Sequence, residues 1–427
     1  MPIIEDSAEK STPVLIATLI LEKYDIATME DNGEIWVFNK KEGIWQRRGE
    51  RLIRSHCLFI QEESARQRFI EEVLYFVRMQ TLQERDAFFN EPSHFIPMKN
   101  CIVDIRDMST ELWYTRKRRF NSKFPVNFKP DTPCPEIGKF LNDVCETPQD
   151  AVTLLQFIGY CFYRAMPIHR ALILLGEGSN GKSTFLEVLR RLLSEKNVCS
   201  VALQELQSSR FASAKFYNKY ANLYGDLSAD ALTQSGLFKM LTGGDSISAE
   251  RKFQEPFTFT NHAKMIFSAN RLPMTYDDSD AFFRRIIMIN FPTVFEDKDT
   301  KLIDKLTTEA ELEGLAWQAL GNLHALLKKG DFHYAKTTDE TRKLYTRRSD
   351  SVACFVADRI DQDPEGWITR DDLYKEYIGF CKENKLIVVN QIFFGRRLRF
   401  HIPVIDSTTR IDEKQVRIYR GISWRIS

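Results

Sequence analysis

The hydrophobic pattern of the first 130 residues predicts a small α+β unit. Apolar residues recur at helical spacing over 13–24 and again over 52–84. Two apolar runs, 34–38 and 43–46, flank the polar turn 39–42, an arrangement that is typical of a β-hairpin. This part of the sequence shows no constellation of catalytic residues.

The middle of the chain alternates between strand-like and helical patterns. A proline-containing segment at 130–135 interrupts the first unit and predicts a domain boundary there. Two helical stretches then lead into apolar runs of strand length, with helical patterns between them. The alternation predicts an α/β core over 131–345, preceded by a helical collar. The helical stretches are 135–145, 149–164 and 301–330, and the strand-like runs are 171–175, 220–226, 264–270 and 286–290.

The last part of the chain reads as a separate small unit. The polar stretch 336–350 resembles a linker, and helical patterns begin soon after it. Three helices followed by a terminal hairpin predict a winged helix over 346–427. The predicted helices run from 352, over 369–383 and over 391–400, and the strand-like pieces are 410–417 and 418–425.

Composition narrows the class of protein. The 427 residues are 43% hydrophobic and 28% charged, with a formal net charge of +1. A near-zero net charge means that any nucleic-acid binding must come from local basic patches. The eight cysteines form no Cys-x-x-Cys pair, which favours reduced thiols inside a cell over a zinc site. The apolar run 14–21 is too short to span a bilayer, so we expect a soluble intracellular protein without membrane contact.

The segment between the apolar run 171–175 and the helical pattern 185–193 has the spacing of a phosphate-binding P-loop. Its glycines let backbone N–H groups surround a phosphate, and the helix N-terminus that follows adds a favourable field. In such a loop Lys182 reaches the β- and γ-phosphates, and the Ser183 hydroxyl binds Mg²⁺. A chance glycine-rich turn would need neither the strand nor the helix. The residues predicted to bind ATP and Mg²⁺ are Gly176, Glu177, Gly178, Ser179, Asn180, Gly181, Lys182, Ser183 and Thr184.

Two polar residues end the strand-like runs 220–226 and 264–270. A P-loop ATPase needs an acid at the carboxyl end of a strand, to hold a water ligand of Mg²⁺ or to polarise the attacking water. Asp226 occupies that place, although a helix-capping aspartate would give the same pattern. The amide of Asn270 can hydrogen-bond the γ-phosphate or the attacking water. We therefore expect Asp226 and Asn270 to act with Lys182 in catalysis.

Arg284 and Arg285 stand at the start of the strand-like run 286–290. An arginine at this place can reach the γ-phosphate of a neighbouring subunit, because its planar fork of donors stabilises charge in the transition state. Adjacent arginines at a strand start are also common as plain surface charge. Both arginines are therefore candidates for a catalytic finger.

Basic residues in two further places are candidates for binding nucleic acid. The turn 243–245 and the alternating pattern after it predict a hairpin that carries Arg251 and Lys252, with Lys239 ahead of it. Such a hairpin suits a translocating strand, since lysines contact phosphates without reading sequence. A solvated hairpin explains the pattern equally well.

The third predicted helix of the C-terminal unit carries Arg396, Arg397 and Arg399 and would face a DNA groove. Winged helices also serve as protein-interaction modules, so that alternative stays open. The basic run 116–119 either meets phosphates or forms a solvated turn.

Taken together, these residues resemble the superfamily III helicases, in particular the helicase half of phage and plasmid primase–helicases related to the poxvirus primase–helicase. The loop 176–184 resembles motif A, and Asp226 resembles motif B. The segment 239–252, with its Leu-Thr-Gly-Gly-Asp core, resembles the motif between B and C. The segment 264–273, with Phe-Ser-Ala-Asn-Arg-Leu-Pro, resembles motif C.

The resemblance implies an α/β fold with an AAA+-like P-loop ATPase core. The implied domains are an N-terminal α+β domain over 1–130, a collar and core over 131–345, and a winged helix over 346–427. It also implies a homo-oligomer, a hexamer, that hydrolyses ATP and unwinds single-stranded or forked DNA with 3′ to 5′ polarity. The setting would be phage, viral or plasmid replication in a prokaryotic cytoplasm, with a primase or polymerase as a further partner.

Residue roles follow from the same resemblance. Lys182 and Ser183 would hold phosphate and Mg²⁺, Asp226 would be the Walker B acid, and Asn270 the sensor. Arg285, or in second place Arg284, would be the finger that acts on a neighbouring subunit. Arg251 and Lys252 would contact DNA in the pore of a ring.

One departure from the family pattern matters for the mechanism. Many relatives have two adjacent acids in motif B, whereas Gly225 precedes Asp226 here. The group that positions the attacking water is therefore open, with Asp230 as one candidate. A different class of function also fits the sequence, namely an ATP-switched origin-binding initiator or assembly factor without processive unwinding. An ATPase rate that is indifferent to single-stranded DNA would favour that class.

Overall fold

A computed structural model describes residues 12–61, 66–112, 114–228, 230–253, 255–296, 299–384, 386, 388–412 and 414–425. Residues 1–11 of the predicted first domain lie outside this set. None of the described helices combines the length and apolar character that crossing a bilayer requires.

The N-terminal part consists of helices packed around two small sheets. The first sheet has the order β3-β2-β1-β4, in which β4 pairs parallel with β1 and the other pairs are antiparallel. The second is the antiparallel sheet β5-β6-β7. The elements are α1 (Pro13–Lys23), β1 (Ile26–Met29), β2 (Ile35–Asn39), β3 (Ile44–Gln46), α2 (Gly49–Gln61), α3 (Gln67–Gln80), β4 (Leu82–Gln83), α4 (Arg85–Phe88), β5 (Phe95–Pro97), β6 (Ile102–Asp104) and β7 (Ser109–Glu111).

The predicted first helix and hairpin are confirmed. Helix α1 begins where the Thr12 side chain accepts a hydrogen bond from the Leu15 amide, with Pro13 in the first turn. Its buried face, including Ile16 and Ile20, packs in one cluster with α2 and α3. The hairpin pairs β2 with β3 around the predicted polar turn.

The middle of the chain is built on a five-stranded parallel sheet with the order β14-β8-β13-β10-β9. Strands β8 and β13 are buried along their whole length, as expected for parallel strands covered on both faces. The elements are α5 (Pro135–Val144), α6 (Pro148–Tyr160), β8 (Ala171–Leu175), α7 (Lys182–Leu193), β9 (Val198–Cys199), α8 (Leu203–Ser208), β10 (Ala221–Tyr224), α9 (Gly236–Gly243), β11 (Ser246–Ala249), β12 (Phe257–Thr260), β13 (Lys264–Ala269), α10 (Asp280–Phe283), β14 (Ile286–Asn290), α11 (Leu302–Leu306), α12 (Glu309–Lys329) and α13 (Thr338–Ser349).

Helix α12 joins the collar to the N-terminal part. The Glu311 carboxylate accepts hydrogen bonds from the Glu136 and Ile137 amides at 3.2 and 3.0 Å, and so caps α5 from a distance. The buried Glu313 carboxylate pairs with Lys129 at 2.7 Å. One hydrophobic cluster includes residues on both sides of the predicted boundary near 130. The collar and the second small sheet therefore share a core.

A buried lysine ties the segment after α6 to the central sheet. The Lys264 ammonium donates to the carbonyls of Ala165 and His262, both at 2.8 Å, and to the carbonyl of Tyr163. It also lies 4.4 Å from the centre of the Tyr160 ring. Burial lowers the pKa of Lys264 to about 7. The three carbonyls supply the polar partners that a buried ammonium needs.

The predicted hairpin exists, but its turn lies elsewhere. Strands β11 and β12 pair antiparallel, so the turn of the hairpin is 250–256. The predicted turn at 243–245 instead ends α9, where Gly244 takes a left-handed conformation with φ 70° and bonds back to the Met240 carbonyl. A glycine after a helix is the usual C-terminal cap, which the sequence prediction mistook for a hairpin turn.

The prediction of a linker over 336–350 is wrong, because most of this stretch forms the helix α13. The Thr337 and Glu340 side chains form a reciprocal capping box at its start. The Tyr345 side chain is fully buried against the central domain. The low apolar content of the stretch concealed a helix that packs on the central domain mainly through Tyr345 and Leu344.

The C-terminal part follows the order helix, strand, helix, helix, strand, strand. Its sheet is antiparallel, with the order β15-β17-β16, and its helices pack on one hydrophobic cluster. The strand β15 was not predicted, and the terminal hairpin turns earlier than expected. The elements are α14 (Ser351–Arg359), β15 (Ile360–Thr369), α15 (Arg370–Glu383), α16 (Gln391–His401), β16 (Ile405–Ile411) and β17 (Lys414–Trp424).

A buried charge cluster holds α14 and α16 together. The Asp350 carboxylate accepts hydrogen bonds from the amides of Val352 and Ala353, at 3.0 and 3.1 Å, and so caps α14. It also pairs with the Arg397 guanidinium and with His401. Burial raises the pKa of Asp350, but the His401 hydrogen bond and the Arg397 charge outweigh it and hold the pKa at about 2. The free energy of unfolding of the C-terminal part should therefore fall at acidic pH.

Replacing Asp350 by asparagine should lower the free energy of unfolding by about 3 kcal/mol at about pH 6, because the Arg397 guanidinium then stays buried without its carboxylate. The folded-state pKa lies below the ordinary value, so wild type loses this stabilisation as the pH falls from about 4 towards 2. The difference between variant and wild type should shrink over that interval. Urea unfolding with hydrogen exchange of α14 and α16 measures it.

The control for this experiment is Asp361→Asn, which removes an exposed partner of Arg425. Exposed pairs contribute little, so its effect should stay below about 1 kcal/mol at every pH. A difference between Asp350→Asn and wild type that is constant from neutral pH to about pH 2 would contradict the assigned role of the buried carboxylate.

Candidate functional site

A cavity of about 690 Å³ opens where β8, β10 and β13 end. Ligands bind at the carboxyl edge of open parallel sheets, because loops from neighbouring strands converge there. The cavity lies at that edge and is large enough for a nucleotide. The residues that line it are Glu136, Lys139, Phe140, Asp143, Gly178, Ser179, Asn180, Gly181, Lys182, Ser183, Thr184, Gly225, Asp226, Ser268, Asn270, Phe295, Asp299, Leu302 and Lys305.

The loop between β8 and α7 depends on glycine at two places. Gly181, the residue before α7, has φ 86°, and a Cβ there would lie 2.9 Å from a methyl group of Val144. At Gly176 a Cβ would lie 2.8 Å from the Phe291 carbonyl oxygen. The loop is therefore packed between α5 and the residue after β14, and its backbone curls at the N-terminus of α7.

Asn180 holds the loop together from inside. Its side chain is buried; the amide oxygen accepts from the Gly178 N–H at 2.6 Å, and the amide nitrogen donates to the Phe291 carbonyl at 3.1 Å. The Lys182 ammonium donates to the same amide oxygen at 3.0 Å and to the Gly176 carbonyl at 2.7 Å. The sequence placed Asn180 in the loop but did not show that its side chain organises it.

The charge on Lys182 is set by two opposing influences. Burial lowers the pKa of the Lys182 ammonium, and the carboxylate of Asp226 opposes that shift. Both predicted residues line the cavity. An ammonium beside one carboxylate, at the N-terminus of a helix, favours binding of a multiply charged anion.

Asp226 and Asn270 lie at the ends of adjacent strands. Asp226 has a left-handed backbone with φ 59°, and its N–H donates to the Ser268 hydroxyl at 3.2 Å. The next amide, Leu227, donates to the Ser268 carbonyl at 2.9 Å. Left-handed non-glycine residues are uncommon and often occur at functional sites. Ser268, which sequence reasoning missed, thus fixes the strand end that carries Asp226 to the strand that carries Asn270.

The two finger candidates lie outside the cavity lining and differ in exposure. Arg285 is 8% exposed; its guanidinium donates to the Ala281 carbonyl at 2.5 Å, and its Nε has no hydrogen-bond partner among the described residues. Burial and the adjacent charge of Arg284 lower the pKa of Arg285. The Arg284 side chain is exposed. The residue expected second from the sequence is therefore the one that can reach another molecule.

Helix α13 fixes the segments around these residues. The Tyr345 hydroxyl donates to the Pro273 carbonyl at 2.8 Å, and its ring contacts Phe282 and Phe283, with 5.7 Å between ring centres in each case. The Arg342 guanidinium pairs with Asp280 and lies 5.2 Å from the centre of the Phe283 ring. The loop after Asn270 and the short helix before Arg284 are thus held by one helix that the sequence prediction read as a linker.

The β11–β12 hairpin presents basic and aromatic side chains at its turn. The Arg251 guanidinium lies 4.6 Å from the Phe257 ring centre and 5.2 Å from that of Tyr217. Lys252 is exposed beside Phe253, which is 93% exposed. Lys239 instead pairs with Asp277 at 2.8 Å, so it ties α9 to the loop after β13 and is not a free charge. Of the three predicted residues, Arg251 and Lys252 are on the turn.

The predicted arginines of α16 divide between surface and core. Arg396 is exposed, and Arg399 is half-exposed and pairs with Asp406 at 2.7 Å. Arg397 is buried in the cluster with Asp350 and His401. The prediction that Arg397 contacts nucleic acid is corrected, because its guanidinium neutralises a buried carboxylate.

The basic run 116–119 is also largely structural. Arg118 pairs with Glu91 at 3.1 Å and with Glu111, while the Arg119 guanidinium lies 4.0 Å from the Phe88 ring centre. Arg116 pairs with Asp25 at 2.7 Å. These contacts favour the structural alternative over a phosphate-binding patch.

Comparison with known proteins finds matches to two family models and to a curated viral protein. A model described as "D5 N terminal like" matches residues 17–146. A family of unknown function (DUF5906) matches residues 174–285. A curated protein of Acanthamoeba polyphaga mimivirus, described as "Putative helicase L207/L206", is 27% identical over 249 residues. That match covers 50% of this chain and 25% of the viral protein, so the chain spans about a quarter of its relative.

Solved structures show a related fold. Two apo structures of the NrS-1 C-terminal region align over 97% and 96% of this chain and over 100% of theirs. The TM-scores are 0.52 and 0.51, at 13% and 12% identity. The arrangement of N-terminal part, parallel sheet and C-terminal part therefore recurs in another protein. The viral relative and the N-terminal family match agree with the helicase resemblance of the motifs.

The loop motif predicts ATP as the ligand, and replacing Asn180 by alanine should weaken that binding about tenfold, because the loop loses the bonds to Gly178 and Phe291 that hold it in shape. Calorimetric titration of the purified protein with ATP measures the affinity. The matched control is Asn322→Ala on α12, outside the cavity lining. An unchanged affinity in Asn180→Ala would show that the loop keeps its shape without this side chain.

Proposed function

We propose that the chain is the ATP- and Mg²⁺-dependent motor of a ring-forming helicase that unwinds DNA during replication of a virus, phage or plasmid. The observation that carries the proposal is one cavity lined by Lys182, Ser183, Asp226 and Asn270 at the ends of adjacent parallel strands. Each residue type suits its place in a phosphate-transfer site. The similarity to a viral protein described as a helicase adds support at the level of the family.

The residues present suit a nucleotide and its Mg²⁺. Lys182 would exchange its bonds with the Gly176 carbonyl and the Asn180 amide for phosphate oxygens. The Ser183 hydroxyl and the Asp226 carboxylate would hold Mg²⁺, whose other ligands in such sites are phosphate oxygens and water. The described residues contain no cluster of three or more His, Cys, Asp or Glu side chains that could hold a metal.

The bound metal would neutralise charge that develops on the phosphates. On the β10 and β13 side of the cavity, Asp226 is the one carboxylate among the described lining residues. Asp230 instead closes a local turn, in which its side chain accepts from the Ser228 hydroxyl at 2.7 Å. We therefore assign Asp226 to the metal and the attacking water together, and Asn270 to positioning that water.

The finger is assigned to Arg284. An arginine that acts on a neighbouring subunit must project from the surface of its own subunit. The Arg284 side chain is exposed, whereas Arg285 is buried. Helix α13 holds the segment before Arg284 through Arg342 and Tyr345. Arg285 then has a structural role, because its guanidinium donates to the Ala281 carbonyl.

The DNA contacts are assigned to the β11–β12 hairpin and to the C-terminal part. Arg251 and Lys252 give the hairpin turn a positive charge that binds phosphates without regard to sequence. The element order of the C-terminal part is that of a winged helix, with Arg396 on its third helix. A hexameric ring and 3′ to 5′ movement come from the resemblance to superfamily III helicases.

The second candidate is an ATP-switched initiator that assembles on DNA without unwinding it. Its support is the C-terminal part, where Arg396 is exposed but Arg397 and Arg399 are paired within the fold. Such a surface suits docking as well as DNA contact. The two candidates differ in whether DNA accelerates ATP turnover.

The first experiment compares ATP hydrolysis with and without single-stranded DNA, alongside the mass of the particle in solution. A motor should be stimulated severalfold by DNA, in a particle several times the 49.8 kDa monomer. Lys182→Ala should abolish turnover in both conditions, since the phosphates lose their cation. A DNA-indifferent rate in an assembled particle would favour the initiator, and unchanged turnover in Lys182→Ala would reject the site.

The finger assignment has its own test. Arg284→Ala should lower turnover by a factor on the order of 10³ without changing ATP affinity, since the arginine acts on the transition state of a neighbour. Mixing Arg284→Ala with Lys182→Ala subunits should restore part of the activity, because an intact Lys182 then meets an intact Arg284 at some interfaces. Arg285→Ala, the comparison variant, should lower the melting temperature. If mixing restores nothing, Arg284 does not act between subunits.

A further inference from the structure

We propose that the side of the cavity opposite Asp226 and Asn270 is a subsite for the nucleoside of the bound nucleotide, formed by Phe140, Phe295 and Leu302. The inference rests on the proposed function, because it needs a nucleotide whose phosphates lie on the loop 176–184. It adds a binding surface for the base and ribose that the sequence motifs do not indicate.

The order of the strands separates the two ends of the cavity. Strand β8, which leads into the loop, lies between β13 on one side and β14 on the other. Asp226 and Asn270 follow β10 and β13, on the first side. Phe295 and Leu302 follow β14, on the second side. If the γ-phosphate faces Asp226 and Asn270, the rest of the nucleotide extends towards the second side.

Two of the three apolar residues are fixed to the phosphate loop itself. The Phe295 N–H donates to the Ser179 carbonyl at 3.0 Å. The Phe140 ring packs on Gly181, where an added Cβ would lie 3.0 Å from a ring carbon. The apolar surface therefore keeps a set position relative to the phosphates, which a nucleoside subsite requires.

The chemistry of this wall suits a base and a ribose. Phe140, Phe295 and Leu302 offer an apolar surface, and flat π-faced bases bind well to aromatic and aliphatic side chains. Around them lie charged groups that can accept or donate hydrogen bonds, with Lys305 and Asp299 paired at 2.7 Å. Glu136, Lys139 and Asp143 on α5 complete this side of the lining.

The position of these residues has a consequence for the collar. Phe140 belongs to α5, which Glu311 of α12 caps, whereas Phe295 and Leu302 follow the central sheet. A nucleoside in this subsite would contact the collar and the central domain at once.

The test compares ATP with inorganic tripolyphosphate, which carries the phosphates without a nucleoside. Phe295→Ala and Leu302→Ala, each in the full chain, should weaken ATP binding about tenfold and leave the affinity for tripolyphosphate unchanged. Phe295→Ala keeps the backbone bond to Ser179, so the loop stays anchored. Val294→Ala, the matched control, removes a neighbouring side chain that is 56% exposed and outside the lining, and it should bind both ligands like wild type.

The outcomes separate this inference from the proposed function. Equal losses of affinity for ATP and for tripolyphosphate would mean that the side chains only shape the loop. Unchanged ATP affinity in both variants would mean that the nucleoside lies elsewhere. Either result overturns the subsite. Wild-type protein that binds neither ligand would overturn the proposed function and the subsite with it. Melting curves of each variant confirm that it is folded.

Discussion

The position of β8 between β13 and β14 determines most of the candidate site. The parallel register pairs Leu175 with Ala269 on one side and with Asn290 on the other, so the chain leaves all three strands at the same level. The loop after β8 is then enclosed, with the Phe291 carbonyl against Gly176 and Asn180. Parallel strands direct their carboxyl ends to one edge of the sheet. Residues that are distant in sequence are therefore brought together there by the strand order.

The backbone around the cavity takes conformations that ordinary residues avoid, and side chains hold it there. Ser268 accepts the amide of Asp226, which has a positive φ, and Asn180 accepts the amide of Gly178. These bonds join one strand end or loop position to the next. A rigid edge of this kind suits chemistry in which positioning and fixed charge do most of the work.

The sequence predicted the central elements well, because long apolar runs and capped helices leave few alternatives. The loop 176–184 and the strands ending near Asp226 and Asn270 are where the motifs placed them. Prediction from the sequence failed where a tertiary contact decides whether a segment is helical or where a helix ends. Tyr345 and Leu344 pack a largely polar helix against the central domain, and Gly244 caps a helix where a hairpin turn was expected. Burial of Arg397 and Arg285 could not be read from charge, because their partners and neighbours lie elsewhere in the chain.

The distribution of exposure also bears on assembly. Lys182 and Asp226 face one cavity, whereas the exposed Arg284 lies outside its lining, at the start of β14. Under the function proposed above, the cavity holds the cation, acid and amide, and a second copy would supply the exposed Arg284. Helix α13 holds the loop after Asn270 and the segment before Arg284 through the same Tyr345 side chain. In that proposal, a change at Asn270 of one subunit would reach, through Tyr345, the arginine that the subunit presents to the next one, which is the coupling that a ring motor needs.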